Sequence, residues 1–186
     1  HAAPVLRNVL VRTVAFFVFG SAGWALLPLV ARRELGLGPA GYGVMLACIG
    51  LGAIAGAILL PRLRQRLNAD RLMVTASLTF AITMLALAFV RHFWLLNLFE
   101  FFTGFAWIAV LSTLNLGAQR SAARWVKARA LAVYLTVFFG SMTAGSAVWG
   151  QIASQFGTPA SLVVATLGMV LASMTVFRWK LEKDPD

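Results

Sequence analysis

The chain has 186 residues, of which 60% are hydrophobic and 12% charged, and it carries a formal net charge of +10. Soluble domains run at about 45–50% apolar and about 25% charged, so a water-soluble single domain is excluded, and a disordered chain with it. The composition fits a polytopic membrane protein, since six spans of ~20 residues need ~120 mostly apolar positions.

Six apolar segments follow, each bounded by charge, Gly or Pro. The first covers about Val9–Ala31, with Arg12 near its start and Pro28, expected to kink it, near its end. The second covers about Ala40–Leu60 between Pro39 and Pro61, with Pro39 suited to a first helical turn. The third, about Leu72–Val90, is preceded by Asp70 as a candidate cap. The fourth covers about Phe93–Leu116 and the fifth about Ala130–Ile152. The sixth, about Ser161–Phe177, follows Thr158 as candidate N-cap and Pro159. Each can cross a ~30 Å hydrocarbon core at ~1.5 Å per residue, the sixth with little to spare. No segment alternates with period two, which excludes a β-barrel. The expectation is an all-α membrane protein, residues 1–186 forming a single bundle of six transmembrane helices.

The basic residues fall on two sides. One side receives Arg7 and Arg12, then Arg62, Arg64, Arg66 and Arg71, then Arg120, Arg124, Lys127 and Arg129, and lastly Arg178, Lys180 and Lys183. The other side receives Arg32, Arg33 and Arg91. The positive-inside rule then places both ends of the segment and the two basic loops in the cytoplasm. This asymmetry explains the net charge without a nucleic-acid partner. The lipid bilayer is the expected surrounding, and Trp94, Trp125 and Trp179 fall near span ends, as an interfacial belt requires.

The second and fifth segments are rich in small residues. Gly52 and Gly56 form a GxxxG pair, and Ser141, Gly145 and Gly150 repeat small-residue spacing. Such spacing lets helix backbones approach closely, either as plain packing or as a surface that slides during a conformational cycle. Two units of three helices, the second inverted in the membrane, are the organisation this pattern suggests.

Glu100 is the sole acidic residue inside a span, about 12 Å along the helix from its outer end. Asn97, Glu100, Gly104, Trp107, Leu111 and Asn115 fall within an arc of ~80° on the fourth helix. That face is expected to line a cavity, with Glu100 as a proton or substrate site. The alternative is that Glu100 snorkels outward or pairs with a neighbouring helix. On the first helix Arg12, Phe16, Phe19 and Gly23 share a ~60° stripe. Arg12 there either snorkels to headgroups or faces the cavity, and the aromatics are candidates to hold an apolar substrate.

Catalysis finds no support. The histidines, His1 and His92, lie outside the spans, the single cysteine is Cys48, and no phosphate-binding glycine loop occurs. Neither a metal nor a cofactor is expected. The chain opens with His1 and without a signal-peptide pattern, and the expectation is a fragment of a larger protein.

The order of these features resembles one half of a major facilitator superfamily transporter. Gly56-Ala-Ile-Leu-Leu-Pro61-Arg62-Leu-Arg64-Gln-Arg66 is similar to a degenerate form of that superfamily's short cytoplasmic motif, with the usual aspartate before the first arginine missing. Pro28-Leu-Val-Ala-Arg32, Gly41-Tyr-Gly43, Gly50-Leu-Gly52-Ala-Ile-Ala-Gly56, Trp107 with Leu111-Ser-Thr-Leu-Asn115, and Arg124-Trp-Val-Lys127-Ala-Arg129 resemble the enterobactin-exporter-like branch, also called transmembrane secretion effector. The resemblance runs from about Arg7 to Arg178 and fits the C-terminal half. It implies a twelve-helix parent with an N-terminal six-helix half, in a bacterial inner membrane. It also implies secondary, proton-driven export of a small amphipathic molecule such as a siderophore or drug, with the first and fourth helices lining the cavity. The rival reading is a six-helix structural or interaction module, working as a homodimer or beside another membrane protein.

Overall fold

The computed structural model describes residues 2–122 and 124–174. The elements are α1 (Ala2–Leu29), a π-helical turn (Val30–Glu34), α2 (Pro39–Arg66), α3 (Ala69–Phe89), α4 (Phe93–Arg120), a 3-10 turn (Arg124–Val126), α5 (Lys127–Phe156) and α6 (Thr158–Ser173). No strand occurs among the described residues. Five spans, Val5–Glu34 and the four helices α2 to α5, are long and apolar enough to cross a membrane, and α6 is a shorter apolar helix. The last residues of the sixth predicted span, through Phe177, lie outside the described residues, as do Arg178, Trp179, Lys180 and Lys183.

Several boundaries differ from those read in the sequence. Pro61 does not end α2, which continues to Arg66. A proline lacks only one amide donor, and a long helix with an exposed proline face tolerates that loss. Arg62, Arg64 and Arg66 therefore sit on the last turns of a helix. Arg120 closes α4, while Lys127 and Arg129 belong to the first turn of α5, so the basic loops shrink to short turns. Around Pro28 the helix runs on and then widens into the π turn, closed by the Leu35 amide on the Val30 carbonyl at 3.1 Å. Asn68, not Asp70, caps α3: its Oδ1 accepts the Arg71 amide at 2.9 Å. Gly157, with φ of 88°, makes the turn into α6, and Thr158 is already helical and buried. Pro39 opens α2 as expected from its missing amide.

In the packing, α2 lies along α4 and α1 along α5, while α3 and α6 pack on each other and on α4 and α1 respectively. Glycine sets the first two contacts. A side chain at Gly52 would strike the Phe101 carbonyl, and one at Gly104 would strike the Ile49 carbonyl. At Gly56 it would meet Ile108 at 2.5 Å. The backbones of α2 and α4 thus touch at Gly52 and Gly104 from both sides. Gly145 plays the matching part in α5, where a Cβ would run into Ser21 and the Val18 carbonyl of α1. Ser141, one turn earlier, is buried on the same face. The Trp149 indole N–H donates to the Val18 carbonyl at 2.6 Å, and Ser161 Oγ donates to the Trp149 carbonyl at 3.0 Å. These bonds join α1, α5 and α6. Gly150 departs from its expected packing role, because a Cβ there meets nothing within 4 Å. It lies one residue past Trp149, rotated about 100° off the α1 contact.

The difference between these glycines is measurable. Gly52→Leu is expected to lose at least about 2 kcal/mol of stability by overpacking against the Phe101 backbone, read as a lowered midpoint in reversible detergent unfolding. Gly150→Ala is expected to leave that midpoint where it is or raise it slightly, since its Cβ meets no neighbour and alanine is the better helix former.

Candidate functional site

The interior is organised around one indole. Trp107 of α4 meets Phe17 and Trp24 of α1 at 5.2 Å between ring centroids, Phe80 of α3 at 5.9 Å, Phe16 at 6.1 Å and Phe138 of α5 at 6.4 Å. Most of these pairs are edge-on or tilted, the arrangement that the ring quadrupoles favour. Helices α1, α3, α4 and α5 therefore share a packed aromatic centre.

The α1 stripe read from the sequence turns into this centre. Phe16 is buried between Phe17, Phe80 and Trp107. A Cβ at Gly23 would lie 3.4 Å from the Phe80 ring. Phe19 lies against Trp149 and against Gly168, where no side chain fits. The stripe packs against α3, α4, α5 and α6, and the space it borders amounts to voids of about 10 Å³. Packing against the outer helices claims it because the bulkiest apolar side chains of α1 lie there.

Arg12 corrects the sequence reading most directly. It does not snorkel outward, and the space it borders, with Phe16, Met73 and Ser77, is a void of only about 10 Å³. It is 1% exposed and its Nη1 lies 2.6 Å from Asp70 Oδ1 on the first turn of α3. A guanidinium buried in apolar surroundings needs such a partner, since removing a charge from water costs several kcal/mol. The pair was detectable in principle: Arg12 is a basic residue drawn well inside a span, and Asp70 is an acid standing alone among arginines. At the opposite end, Arg91 Nη2 reaches Glu34 Oε2 at 3.3 Å and the Ala88 carbonyl at 2.6 Å, tying the π turn to the end of α3.

The predicted face of α4 divides along its length. Asn97, Glu100 and Gly104 are buried, whereas Trp107, Leu111 and Asn115 are half-buried. Gly104 is taken up by the α2 contact. Glu100, 2% exposed, borders a pocket of about 10 Å³ together with Trp24, Ile49, Thr83 and Thr103, about the size of one water. Glu100 takes part in no ion pair among the described residues. The Trp24 Nε1–H and Asn97 Oδ1 are both buried without a hydrogen-bond partner among the described residues, while Asn97 Nδ2 donates to the Phe93 carbonyl at 2.9 Å. An acid, an unsatisfied donor and an unsatisfied acceptor thus lie in one region of α1 and α4, and such groups are rare and costly in a protein interior.

Toward the basic end the same face opens. Gln119 Nε2 donates to Asn115 Oδ1 at 2.5 Å, and Arg64 of α2 donates to Ser112 Oγ at 3.1 Å. Arg64, Leu111, Ser112, Asn115 and Gln119 line a cleft of about 400 Å³. Trp94 and Trp125 are 71% and 85% exposed, one at the start of α4 and the other in the turn before α5.

Five apolar helices of spanning length, enclosing an ion pair and a buried acid, define an integral membrane protein rather than a soluble bundle. The chain matches the model of the transmembrane secretion effector family over residues 1–185 and belongs to that major-facilitator family of membrane transporters. Comparison with curated proteins and with solved structures gives no match.

The ion pair generates a sharp expectation. Asp70→Ala is expected to cost about 3 kcal/mol, because it strands a buried guanidinium. Arg12→Met combined with Asp70→Ala is expected to recover most of that loss. A double-mutant cycle on unfolding free energies checks this; additive losses would mean that the two charges are not coupled.

Proposed function

We propose that this chain is one half of a secondary transporter that exports a small amphipathic molecule by alternating access, driven by a proton gradient. Glu100 carries the reading. A carboxyl group 2% exposed, inside a span and outside any ion pair of the described residues, contributes nothing to packing that a leucine would not supply. Its charge is tolerated only in company, so it suits a site that exchanges a proton or small cation as its surroundings open and close.

The partner half finds support on the outer faces of α2 and α5. Gly43, Ala47 and Gly50 form an exposed small-residue stripe on the first half of α2, ended by Ile54, and Gly140, Thr143 and Ala147 form one on α5. A Cβ at Gly43, Gly50 or Gly140 meets nothing within 4 Å. Glycine inside a helix is destabilising by itself, and a second six-helix half docked along these faces gives it a use. An inverted repeat is supported by the pairing itself. Exchanging the first three helices for the last three turns the α1–α5 contact into the α4–α2 contact. Both ends of the segment then lie in the cytoplasm of a bacterial cell, by the basic-residue asymmetry. A siderophore or drug-like cargo rests on resemblance to the enterobactin-exporter branch.

The test uses the full-length protein in proteoliposomes. Glu100→Gln is expected to abolish flux driven by a pH gradient while leaving the protein folded. Flux unchanged at every pH would remove Glu100 from the coupling. Cysteines at Leu111 and Asn115 are expected to react with aqueous maleimide, and one at Asn97 to be protected. Protection at all three positions would instead favour a packed interaction module, docking as a homodimer through the same glycine faces.

A further inference from the structure

A second cleft lies at the basic end, apart from Glu100 and from the outer glycine faces. Arg62, Gln65 and Arg66 with Leu59 and Leu63 of α2 face Phe105 of α4 around about 480 Å³. Helical spacing builds it, since Leu59, Arg62, Leu63 and Arg66 recur on one side of α2. Arg62 and Arg66, four residues apart, set two like charges side by side, which is unfavourable in a helix unless an anion joins them. Neither forms an ion pair among the described residues, and Asp70, the nearest acid along the chain, is held by Arg12.

The remainder of the cleft is apolar. Leu59 and Leu63 lie below the arginines with Phe105. Along α4, away from the basic end, Phe102 and Leu98 continue the strip at 44% and 55% exposure. The arginines stand at the end of a membrane-length helix, where lipid headgroups lie. Two cations above an exposed apolar strip match one kind of ligand, an anion carrying a hydrocarbon chain.

We propose that this cleft binds an anionic phospholipid, with Arg62 and Arg66 holding the headgroup phosphate and an acyl chain lying along Phe105, Phe102 and Leu98. Guanidinium forks suit a phosphate, and basic pockets between membrane helices select anionic headgroups. The assignment needs the chain to sit in a bilayer but does not depend on what it transports.

Native mass spectrometry of the full-length protein in detergent, titrated with phosphatidylglycerol or phosphatidylcholine of equal chain length, tests it. The wild type is expected to retain phosphatidylglycerol about tenfold more tightly. Arg62→Gln with Arg66→Gln is expected to erase that preference, and Lys127→Gln with Arg129→Gln to keep it. A wild type without preference, or a preference that survives in the first double variant, overturns the proposal. Should that variant not fold, Arg62→Lys with Arg66→Lys serves in its place. A severalfold loss there supports the guanidinium fork, and unchanged retention overturns it. Displacement of the lipid by millimolar inorganic phosphate would assign the site to free phosphate instead, and short-chain lipid binding as tightly as long-chain would overturn the acyl strip.

Discussion

Water does not push helices together inside a bilayer, because lipid tails are as apolar as leucine. What holds this bundle is contact between backbones, and the structure depends on the few positions where that contact is unobstructed. Gly52 and Gly104 let α2 and α4 touch through main-chain atoms, and Gly145 does the same for α5 against α1. Around those two pairs the large side chains divide, with Phe89, Phe102 and Phe139 on the outer surface and others turned inward. Trp107 with Phe17, Phe80 and Phe138 then fills the centre between them.

Polar groups survive in this interior on different terms. Arg12 and Asp70 cancel each other across α1 and α3, and Thr13, Thr83 and Thr113 return their hydroxyls to their own helix carbonyls. Those groups are settled by local chemistry. Glu100, Asn97 and Trp24 are settled less fully: among the described residues the first has Thr103 as a hydrogen-bond partner but no counter-ion, and the others each leave one buried atom unbonded. Unsatisfied groups close together are an unstable arrangement for a rigid core and a useful one for a site that changes state. The ion pair near the start of α1 and the buried acid without a counter-ion beside Trp24 are the observations from which the proposed site is argued.

The architecture was legible wherever it depended on hydrophobic length, since charge and proline bracket the apolar runs and a bilayer permits little besides helices. Glu100 was legible as an oddity of composition. Directions were not. The ~80° arc on α4 is correct as an arc, yet it spans three environments: Gly104 meets α2, Glu100 meets the bundle interior, and Asn115 meets an open cleft. Helical periodicity gives an angle about one axis, whereas the identity of the neighbour depends on how the other helices cross. Pro61 failed as a boundary for a related reason, because a missing amide matters less than the helix-long register around it. Arg12 was assigned to lipid or cavity because periodicity considers one helix at a time, and its partner is 58 positions away in sequence.

Glycine is used twice on the same helices, and the two uses differ in kind. Gly52 and Gly56 face inward on α2, where any side chain would collide with α4, while Gly43 and Gly50 face outward into open space. On α5, Gly145 faces α1, whereas Gly140 and Gly150 meet nothing. The inward set accounts for the fold. The outward set does not, because alanine there would collide with nothing and would strengthen the helix. These glycines lie among exposed large side chains, Leu51 and Ile54 on α2 and Phe139 and Val148 on α5, so the outer faces carry both gaps and ridges. Gaps beside ridges are what a second helical body needs in order to seat against a surface. That is the use the proposed partner half would make of them.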